Sequence, residues 1–219
     1  AVVMGLVTAG VRFGAAYPIT PASSIMEDLR AALPKYGGMY VQCEDEIAAI
    51  ATALGFSYAG HVAVTNTSGP GMSLKMEALG WGIMAEMPLV IVNVQRGGPS
   101  TGLPTMVEQS DLVQAIGGTH GDAPRIVLAP CSVGDCFYAT YEAVQLAREY
   151  SVPVIVLSDQ ALSTRIEAFP EPDLAKLYIE PGVKLAPVEG EYKAYAFDKS
   201  NPNYSYRYLA PEAQTPRAK

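Results

Sequence analysis

The fold is decided by the stretch Tyr17-Pro18-Ile19-Thr20-Pro21-Ala22-Ser23, which separates an apolar run from a helical pattern. Each proline fixes its own φ and restricts the residue before it to extended backbone, so the two prolines predict a rigid turn. Pro21 suits the first turn of a helix, and we expect Thr20 to be the N-cap. The stretch therefore predicts a hydroxyl at a strand end, beside a helix N-terminus that favours anions. A well-capped turn without a ligand fits the same pattern.

Outward from this turn, short apolar runs alternate with helical patterns as far as about residue 165. The predicted strands are 12–17, 39–42, 61–66, 89–94, 125–129 and 152–157, and the predicted helices are 1–10, 21–33, 44–59, 72–86, 110–116 and 132–149. This alternation predicts an α/β fold, a doubly wound, mostly parallel sheet with helices on both faces. Residues 166–219 are rich in Pro and Tyr without a sustained period, which predicts an irregular tail leading towards a further domain.

The composition restricts the classes of partner. The 219 residues are 49% hydrophobic, carry a net charge of −7 and contain no Lys/Arg cluster, so nucleic acid and anionic membrane surfaces are disfavoured. No apolar segment is long enough to predict a membrane span. The three cysteines, Cys43, Cys131 and Cys136, argue against a disulfide framework and for a reducing compartment such as the cytoplasm. They are too few for a metal or iron–sulfur site built by this chain alone.

Four polar segments follow predicted strands: 17–24, 43–46, 65–71 and 95–105. The carboxyl ends of parallel strands meet at one edge of a sheet, so we expect these segments to converge there. Glu46 opens a helix at this edge and is a candidate to hydrogen-bond a ligand nitrogen, although an acidic helix N-terminus has the same pattern. The loop predicted at 67–71 lacks the Lys of a P-loop and the spacing of a dinucleotide fold, which disfavours a nucleotide phosphate site.

Arg96 leaves a buried strand and enters a loop of Gly, Pro, Ser and Thr. A guanidinium in this position suits a carboxylate or phosphate, which it grips with two hydrogen bonds. The alternative is a structural ion pair with Glu108 or Asp111.

Three of these segments resemble one enzyme family. Residues 17–23 resemble the YPITPxS motif of 2-oxoacid:ferredoxin oxidoreductases, with Ala22 where serine is commoner. Residues 44–50 are similar to the helix that follows in the pyrimidine-binding domain of these enzymes. The segment Gln95-Arg96-Gly97-Gly98-Pro99-Ser100-Thr101-Gly102-Leu103-Pro104-Thr105 resembles the QRxGPSTGxPT loop of the 2-oxoglutarate-type α subunits. The resemblance covers residues 1–165, and the tail looks like the approach to the next domain of a longer α subunit.

The resemblance implies an oxidoreductase that decarboxylates a 2-oxoacid, makes an acyl-coenzyme A and passes electrons to ferredoxin. Its cofactor would be thiamine diphosphate, shared with a β subunit that holds the diphosphate and Mg²⁺ and carries a [4Fe-4S] cluster. The α subunit would be active only in this hetero-oligomer. The chain agrees in lacking a Gly-Asp-Gly…Asn metal motif.

Carried over residue by residue, the pyrimidine-binding glutamate falls on Glu46, with Glu44 as the second register. The residues that hold the substrate carboxylate fall on Thr20 and Arg96. Further contacts to the cofactor are expected from Tyr17, Pro18, Ile19 and Ser68, and no metal ligand is expected in this chain. The 2-oxoacid is expected to be 2-oxoglutarate, with pyruvate and branched-chain acids left open. Two other functions also stay open: half of a non-oxidative thiamine-dependent decarboxylase, and a non-catalytic assembly subunit with the same fold.

Overall fold

A computed structural model of the chain describes residues 1–178, 195–198 and 201–207. Strands and helices alternate through the first 164 residues, as the hydrophobic pattern predicts. The strands are β1 (Phe13–Ala16), β2 (Met39–Gln42), β3 (Ala63–Thr67), β4 (Leu89–Gln95), β5 (Ile126–Leu128) and β6 (Pro153–Asp159). The helices are α1 (Val2–Thr8), α2 (Ser23–Ala32), α3 (Glu46–Tyr58), α4 (Gly69–Leu74), α5 (Met76–Met84), α6 (Leu112–Gly117), α7 (Val133–Tyr150) and α8 (Gln160–Thr164).

The six strands form one sheet in the order β2-β1-β3-β4-β6-β5, and every pair is parallel. Strand β4 is buried along its whole length. It directs Val90, Val92 and Val94 into one core layer, and Leu89 and Ile91 into the other. A strand that is apolar on both faces is characteristic of a parallel sheet covered by helices on both sides. The predicted α/β fold is confirmed.

The two core layers belong to different sets of helices. Helices α1, α2 and α7 pack on one face of the sheet, and helices α3, α4, α5 and α6 pack on the other. The chain leaves β1 through α2 to reach β2, and it leaves β3 through α4 to reach β4 on the opposite side. Because these two exits lie on opposite faces, a crevice opens between the carboxyl ends of β1 and β3. Ligands of open α/β sheets bind at such a reversal of strand order.

The start of α2 differs from the prediction. The helix begins at Ser23 with Ala22 as its N-cap, and no side chain caps it. Thr20 lies earlier, in the turn, where it is joined to Pro21 by a cis peptide bond. Asn66 Nδ2 donates to the Ala22 carbonyl oxygen at 2.9 Å, which fixes the chain just before the helix. The prediction that Thr20 caps this helix is therefore wrong.

The segment after β3 also differs. Strand β3 continues to Thr67 and α4 begins at Gly69, so the predicted loop at 67–71 is reduced to Ser68. The helix predicted at 72–86 is two helices, because Lys75 lies at the break between α4 and α5. Its side chain points into the protein instead of continuing the amphipathic pattern.

The tail contains regular structure that the sequence pattern did not reveal. A 3₁₀ helix covers Leu174–Lys176, and the strands β7 (Tyr195–Asp198) and β8 (Asn201–Arg207) pair antiparallel. The expectation of an irregular tail does not hold at these residues. The rest of it, at 179–194, 199–200 and 208–219, lies outside the described residues. The domain boundary at residue 165 stays a prediction. In the described ranges, no helix combines the length and the apolar character that a bilayer crossing needs.

Candidate active site

The turn after β1 and the loop after β4 are joined by Arg96. Its Nη1 donates to the Thr20 carbonyl oxygen at 2.6 Å, and its Nη2 donates to the Thr101 carbonyl oxygen at 2.5 Å. The side chain is only 6% exposed, and its Nε is buried without a hydrogen-bond partner. Burial lowers the pKa of Arg96, and the nearby negative charge of Glu46 opposes that change. Arg96 thus lies at the crevice with its Nε–H unused.

The two acids considered as ion-pair partners of Arg96 bond elsewhere. Glu108 Oε2 accepts from the Gly98 backbone N–H at 2.8 Å. Asp111 Oδ2 accepts from Asn93 Nδ2 at 2.9 Å. Both bonds hold the loop that follows β4 in place, so the two acids support the position of Arg96 without pairing with it.

The loop after β4 is tightly built. Gly97 N–H donates to the Met106 carbonyl oxygen at 3.0 Å, and Leu103 N–H donates to the Gly97 carbonyl oxygen at 2.8 Å. Gly102 has a φ of 56°, and a Cβ there would lie 1.9 Å from the Gly97 carbonyl oxygen. Only glycine fits this position, because the left-handed backbone and the close approach both exclude a side chain. The loop therefore presents a defined surface to the crevice.

Glu46 is the first residue of α3 and is 7% exposed. The N-cap is Asp45, whose Oδ1 accepts from the Ala48 N–H at 2.7 Å. The cap fixes the first turn of the helix. Gly71 of α4 lies against the Glu46 side chain: a Cβ on Gly71 would be 2.7 Å from Glu46 Cγ, 2.8 Å from Oε1 and 2.2 Å from Thr67 Oγ1. The missing side chain at Gly71 leaves the space that the carboxylate occupies.

Lys75 is a site residue that sequence reasoning missed. Its side chain is fully buried, and its Nζ donates to the Glu46 carbonyl oxygen at 3.2 Å and to Thr65 Oγ1 at 3.0 Å. Burial lowers the pKa of Lys75 to about 8. One signal was present in the sequence: Lys75 is the only Lys or Arg between Lys35 and Arg96.

Asn66 and Tyr40 were missed as well. The Tyr40 hydroxyl donates to Asn66 Oδ1 at 2.5 Å, and Asn66 Nδ2 donates to the Ala22 carbonyl oxygen. Both side chains are buried. This chain of hydrogen bonds joins strands β2 and β3 to the turn that carries Thr20. Burial raises the pKa of Tyr40 well above its ordinary value, so the phenol keeps the proton that it donates.

The remaining predicted residues take different positions. Ser68 is buried at the end of β3, and its Oγ has no hydrogen-bond partner. Tyr17, Pro18 and Ile19 lie in the turn after β1; Tyr17 is 38% exposed, and Ile19 packs on the core. The Thr20 side chain is exposed, and Thr20 bonds to Arg96 through its backbone carbonyl oxygen. The structure therefore joins Thr20 to Arg96 and brings Glu46 near them, while Tyr17 remains at the surface.

A cavity of about 380 Å³ opens beside Arg96, between α4 and the loop after β4. Its polar lining includes Ser73, Arg96, Ser100, Asp111 and Gln114. Burial raises the pKa of Asp111, with Glu108 adding to the effect and the hydrogen bond from Asn93 opposing it. This volume suits a small polar ligand.

The orphaned polar atoms test whether the crevice fits a bound cofactor. Ser68 Oγ and Arg96 Nε are buried donors without partners in the protein, and such groups are costly unless a ligand or water satisfies them. Glu46 adds a carboxylate that can accept from a ring N–H or donate when protonated. These residues fit a polar heterocycle accompanied by an anionic substrate. No group of three or more His, Cys, Asp or Glu placed for a metal ion occurs in the part of the chain that the structure describes.

The sequence matches the family described as pyruvate flavodoxin/ferredoxin oxidoreductase, thiamine diphosphate-binding, over residues 4–213. It is 50% identical over 177 residues to the 2-oxoglutarate synthase subunit KorA of Archaeoglobus fulgidus, covering 81% of this chain and 51% of that subunit. It is 47% identical over 198 residues to the 2-oxoglutarate oxidoreductase subunit KorA of Mycobacterium tuberculosis, covering 85% of this chain and 30% of that subunit. The chain thus spans about half or less of the length of these curated relatives.

Solved structures agree with these matches. The 2-oxoglutarate:ferredoxin oxidoreductase from Magnetococcus marinus, solved with 2-oxoglutarate, coenzyme A and succinyl-CoA bound, superposes with a TM-score of 0.89 at 47% identity. The match covers all of this chain and 37% of that one. Benzoylformate decarboxylase from Polynucleobacter necessarius superposes with a TM-score of 0.60 at 18% identity, covering 80% of this chain and 31% of that one, which is a likeness of fold alone.

Proposed function

Because the chain belongs to the pyruvate flavodoxin/ferredoxin oxidoreductase family of thiamine diphosphate-binding domains, we propose that it is the pyrimidine-binding part of a 2-oxoacid:ferredoxin oxidoreductase α subunit. The observation that carries this proposal is the hydrogen bond from Arg96 to Thr20, at the crevice where Glu46 is the neighbouring charge. The proposed substrate is 2-oxoglutarate, because the chain is about half identical to subunits named for that acid. The products would be CO₂, succinyl-CoA and reduced ferredoxin.

Glu46 is proposed to bind the cofactor. When bound, thiamine diphosphate supplies the nucleophilic carbon and the electron sink that decarboxylation of a 2-oxoacid requires. The Glu46 carboxylate would hold a proton at a ring nitrogen of the pyrimidine, and the absence of a side chain at Gly71 leaves room for that carboxylate. Ser68 Oγ is a buried donor that a polar cofactor atom would satisfy. Tyr17, Pro18 and Ile19 would line the ring from the turn after β1.

Arg96 and Thr20 are proposed to bind the substrate carboxylate. A guanidinium has five N–H donors, and the bonds to the Thr20 and Thr101 carbonyl oxygens leave three of them, including the buried Nε–H, for a ligand. These two bonds fix the plane of the guanidinium before substrate arrives, so little entropy is lost on binding. The exposed Thr20 hydroxyl would add a neutral hydrogen bond beside this cation.

A β subunit is proposed to complete the site. It would hold the diphosphate with Mg²⁺, carry a [4Fe-4S] cluster and pass electrons to ferredoxin. Support for a partner comes from large apolar side chains at the surface: Met84 and Val113 are each 81% exposed, and such side chains in number mark interaction surfaces. The free thiols of Cys43, Cys131 and Cys136 support work in a reducing compartment, which we propose to be the cytoplasm.

The test is the Glu46→Gln substitution in the enzyme assembled with its β subunit. Reduction of ferredoxin, dependent on 2-oxoglutarate and coenzyme A, should fall by about 10² or more, the usual contribution of proton-transfer assistance. Glu44→Gln distinguishes the second register, because Glu44 precedes the helix and is exposed; it should retain activity. Full activity in Glu46→Gln would refute the role proposed for Glu46. CO₂ release without ferredoxin reduction would point to the non-oxidative decarboxylase.

A further inference from the structure

Lys75 is completely buried although nothing in the proposed reaction uses it. Removing an ammonium group from water is costly unless the group is paired and hydrogen-bonded. A methionine would fill much the same space without that cost. The presence of a lysine at this position therefore requires an explanation in terms of its charge or its hydrogen bonds.

The hydrogen bonds of Lys75 lead to the proposed cofactor-binding residue. Its Nζ joins the carbonyl oxygen of Glu46, at the start of α3, to the hydroxyl of Thr65 in β3. The lysine thus ties the first turn of α3 to the central part of the sheet. Movement of that turn would break the bond to a buried cation, which is strongly opposed.

Two positions, one in α4 and one directly after it, lie beside Glu46. Gly71 of α4 leaves room for the Glu46 carboxylate, and Lys75, which follows α4, bonds to the Glu46 backbone. These positions are four residues apart, a spacing that places them on one side of a helical turn. The break between α4 and α5 at Lys75 allows the lysine side chain to point into the protein and bond to the Glu46 carbonyl oxygen.

Charge adds to this geometry. Three acidic groups face the Lys75 ammonium, namely Glu46, Cys43 and Asp45, and Glu46 is the strongest of them. Arg96 is a second cation that interacts with the charge of Glu46. Burial brings the pKa of Lys75 to about 8, so its charge can change close to neutral pH.

We propose that Lys75 is a positioning residue for Glu46, fixing the backbone of that glutamate and supplying the buried positive charge that faces its carboxylate. The proposal rests on the proposed function only in giving Glu46 a cofactor to bind. The competing explanation is a structural cross-link between α3 and β3 without electrical influence on the carboxylate.

The test follows the Glu46 carboxyl carbon by NMR in the ¹³C-glutamate-labelled chain, without cofactor, with the signal assigned by its loss in Glu46→Gln. In the unmodified chain this signal should change with a midpoint near pH 8, where Lys75 loses its proton. The change should disappear in Lys75→Met and persist in Lys35→Met, which removes an exposed lysine of the 3₁₀ helix at Leu33–Tyr36. In the assembled enzyme, Lys75→Met should weaken thiamine diphosphate binding by about tenfold and remove any component of the pH profile near pH 8.

A Glu46 signal that stays flat through pH 8 in the unmodified chain would overturn the proposal, and this measurement needs no variant to fold. A pH 8 change that survives in Lys75→Met would overturn it equally. If the change is present and depends on Lys75, but the assembled enzyme does not bind thiamine diphosphate, then the proposed function fails and the relation between Lys75 and Glu46 stands.

Discussion

The guanidinium of Arg96 donates to the backbone carbonyl oxygen of Thr20, 76 positions earlier in the chain, at 2.6 Å. The two residues were expected to bind the same substrate group through their side chains. The structure adds a direct contact between them, which involves the backbone of Thr20. The contact fixes the turn after β1 against the loop after β4, beside the crevice between the carboxyl ends of β1 and β3.

The Arg96→Lys substitution should impair the enzyme although it conserves charge. A single ammonium cannot bond to the Thr20 and Thr101 carbonyl oxygens and still present a planar donor pair to a carboxylate. We expect kcat/KM for 2-oxoglutarate to fall by about ten- to a hundredfold, the scale of a charged hydrogen bond. Arg30→Lys is the matched control, since Arg30 bonds only to the exposed Gln42 side chain among the contacts described. Equal kcat/KM in the two variants would disprove the carboxylate role.

The Gly71→Ala substitution should displace the Glu46 carboxylate. The added methyl would lie 2.8 Å from Glu46 Oε1 and 2.2 Å from Thr67 Oγ1, and contacts that short force a side chain to move. We expect the dissociation constant of thiamine diphosphate in the assembled enzyme to rise by about tenfold. A displaced carboxylate needs to lose only about 1.4 kcal/mol of binding free energy for that change. Gly80→Ala controls for the change in helix propensity: its methyl would meet only Thr119 Cγ2, at 4.0 Å. If both variants bind the cofactor normally, Gly71 does not support Glu46.

The Tyr40→Phe substitution should destabilise the fold and leave the ring in place. It removes the donor to Asn66 Oδ1, and a buried acceptor left without its donor costs about 1–3 kcal/mol. Tyr36→Phe is the control, because Tyr36 is exposed and keeps its ring under the Arg12 guanidinium. Urea unfolding monitored by circular dichroism gives both free energies. A Tyr40→Phe free energy equal to that of Tyr36→Phe would mean that the chain Tyr40–Asn66–Ala22 contributes nothing to stability.

Lys75 should make the free energy of unfolding increase with pH. Its pKa is about 8 in the folded chain and near 10.5 when unfolded, so between these values the unfolded chain binds more protons than the folded one. Stability therefore rises through this window, by about 3 kcal/mol in total. Urea unfolding of the chain and of Lys75→Met across the window isolates this contribution, since other groups cancel in the difference. A difference that does not vary with pH would show that Lys75 keeps its ordinary proton affinity.

The hydrophobic pattern predicted every strand of the main sheet, because each strand is a short apolar run, and the central strands β3 and β4 are buried along their whole length. The pattern also predicted that Glu46 lies near the start of a helix that follows a strand, and Glu46 is the first residue of α3. Local sequence signals predict these features because hydrophobic periodicity and helix capping involve residues that are close in sequence.

The positions of Lys75 and Thr20 could not be predicted from the local sequence. The pattern around Lys75 continues as a helix, and only the contacts of its Nζ with Glu46 and Thr65, distant in sequence, explain the break. Thr20 has the residue type and the following proline of an N-cap. The bonds from Arg96 and Asn66 to the turn override that preference, and neither partner lies within forty residues of it. Residue propensities for helix and turn contain no information on hydrogen bonds between residues that are distant in sequence.

The parallel order of the main sheet governs how quickly the chain can reach this structure. Every pair of neighbouring strands is separated by at least one helical crossover, and Leu89 of β4 must find Pro153 of β6. Closing such long stretches of chain costs conformational entropy before any contact repays it. No tight hairpin within residues 1–178 offers the main sheet a local nucleus. Refolding from urea should therefore be much slower than for a helical bundle of equal length, and a nascent chain would leave one edge of β4 unpaired until β6 has left the ribosome.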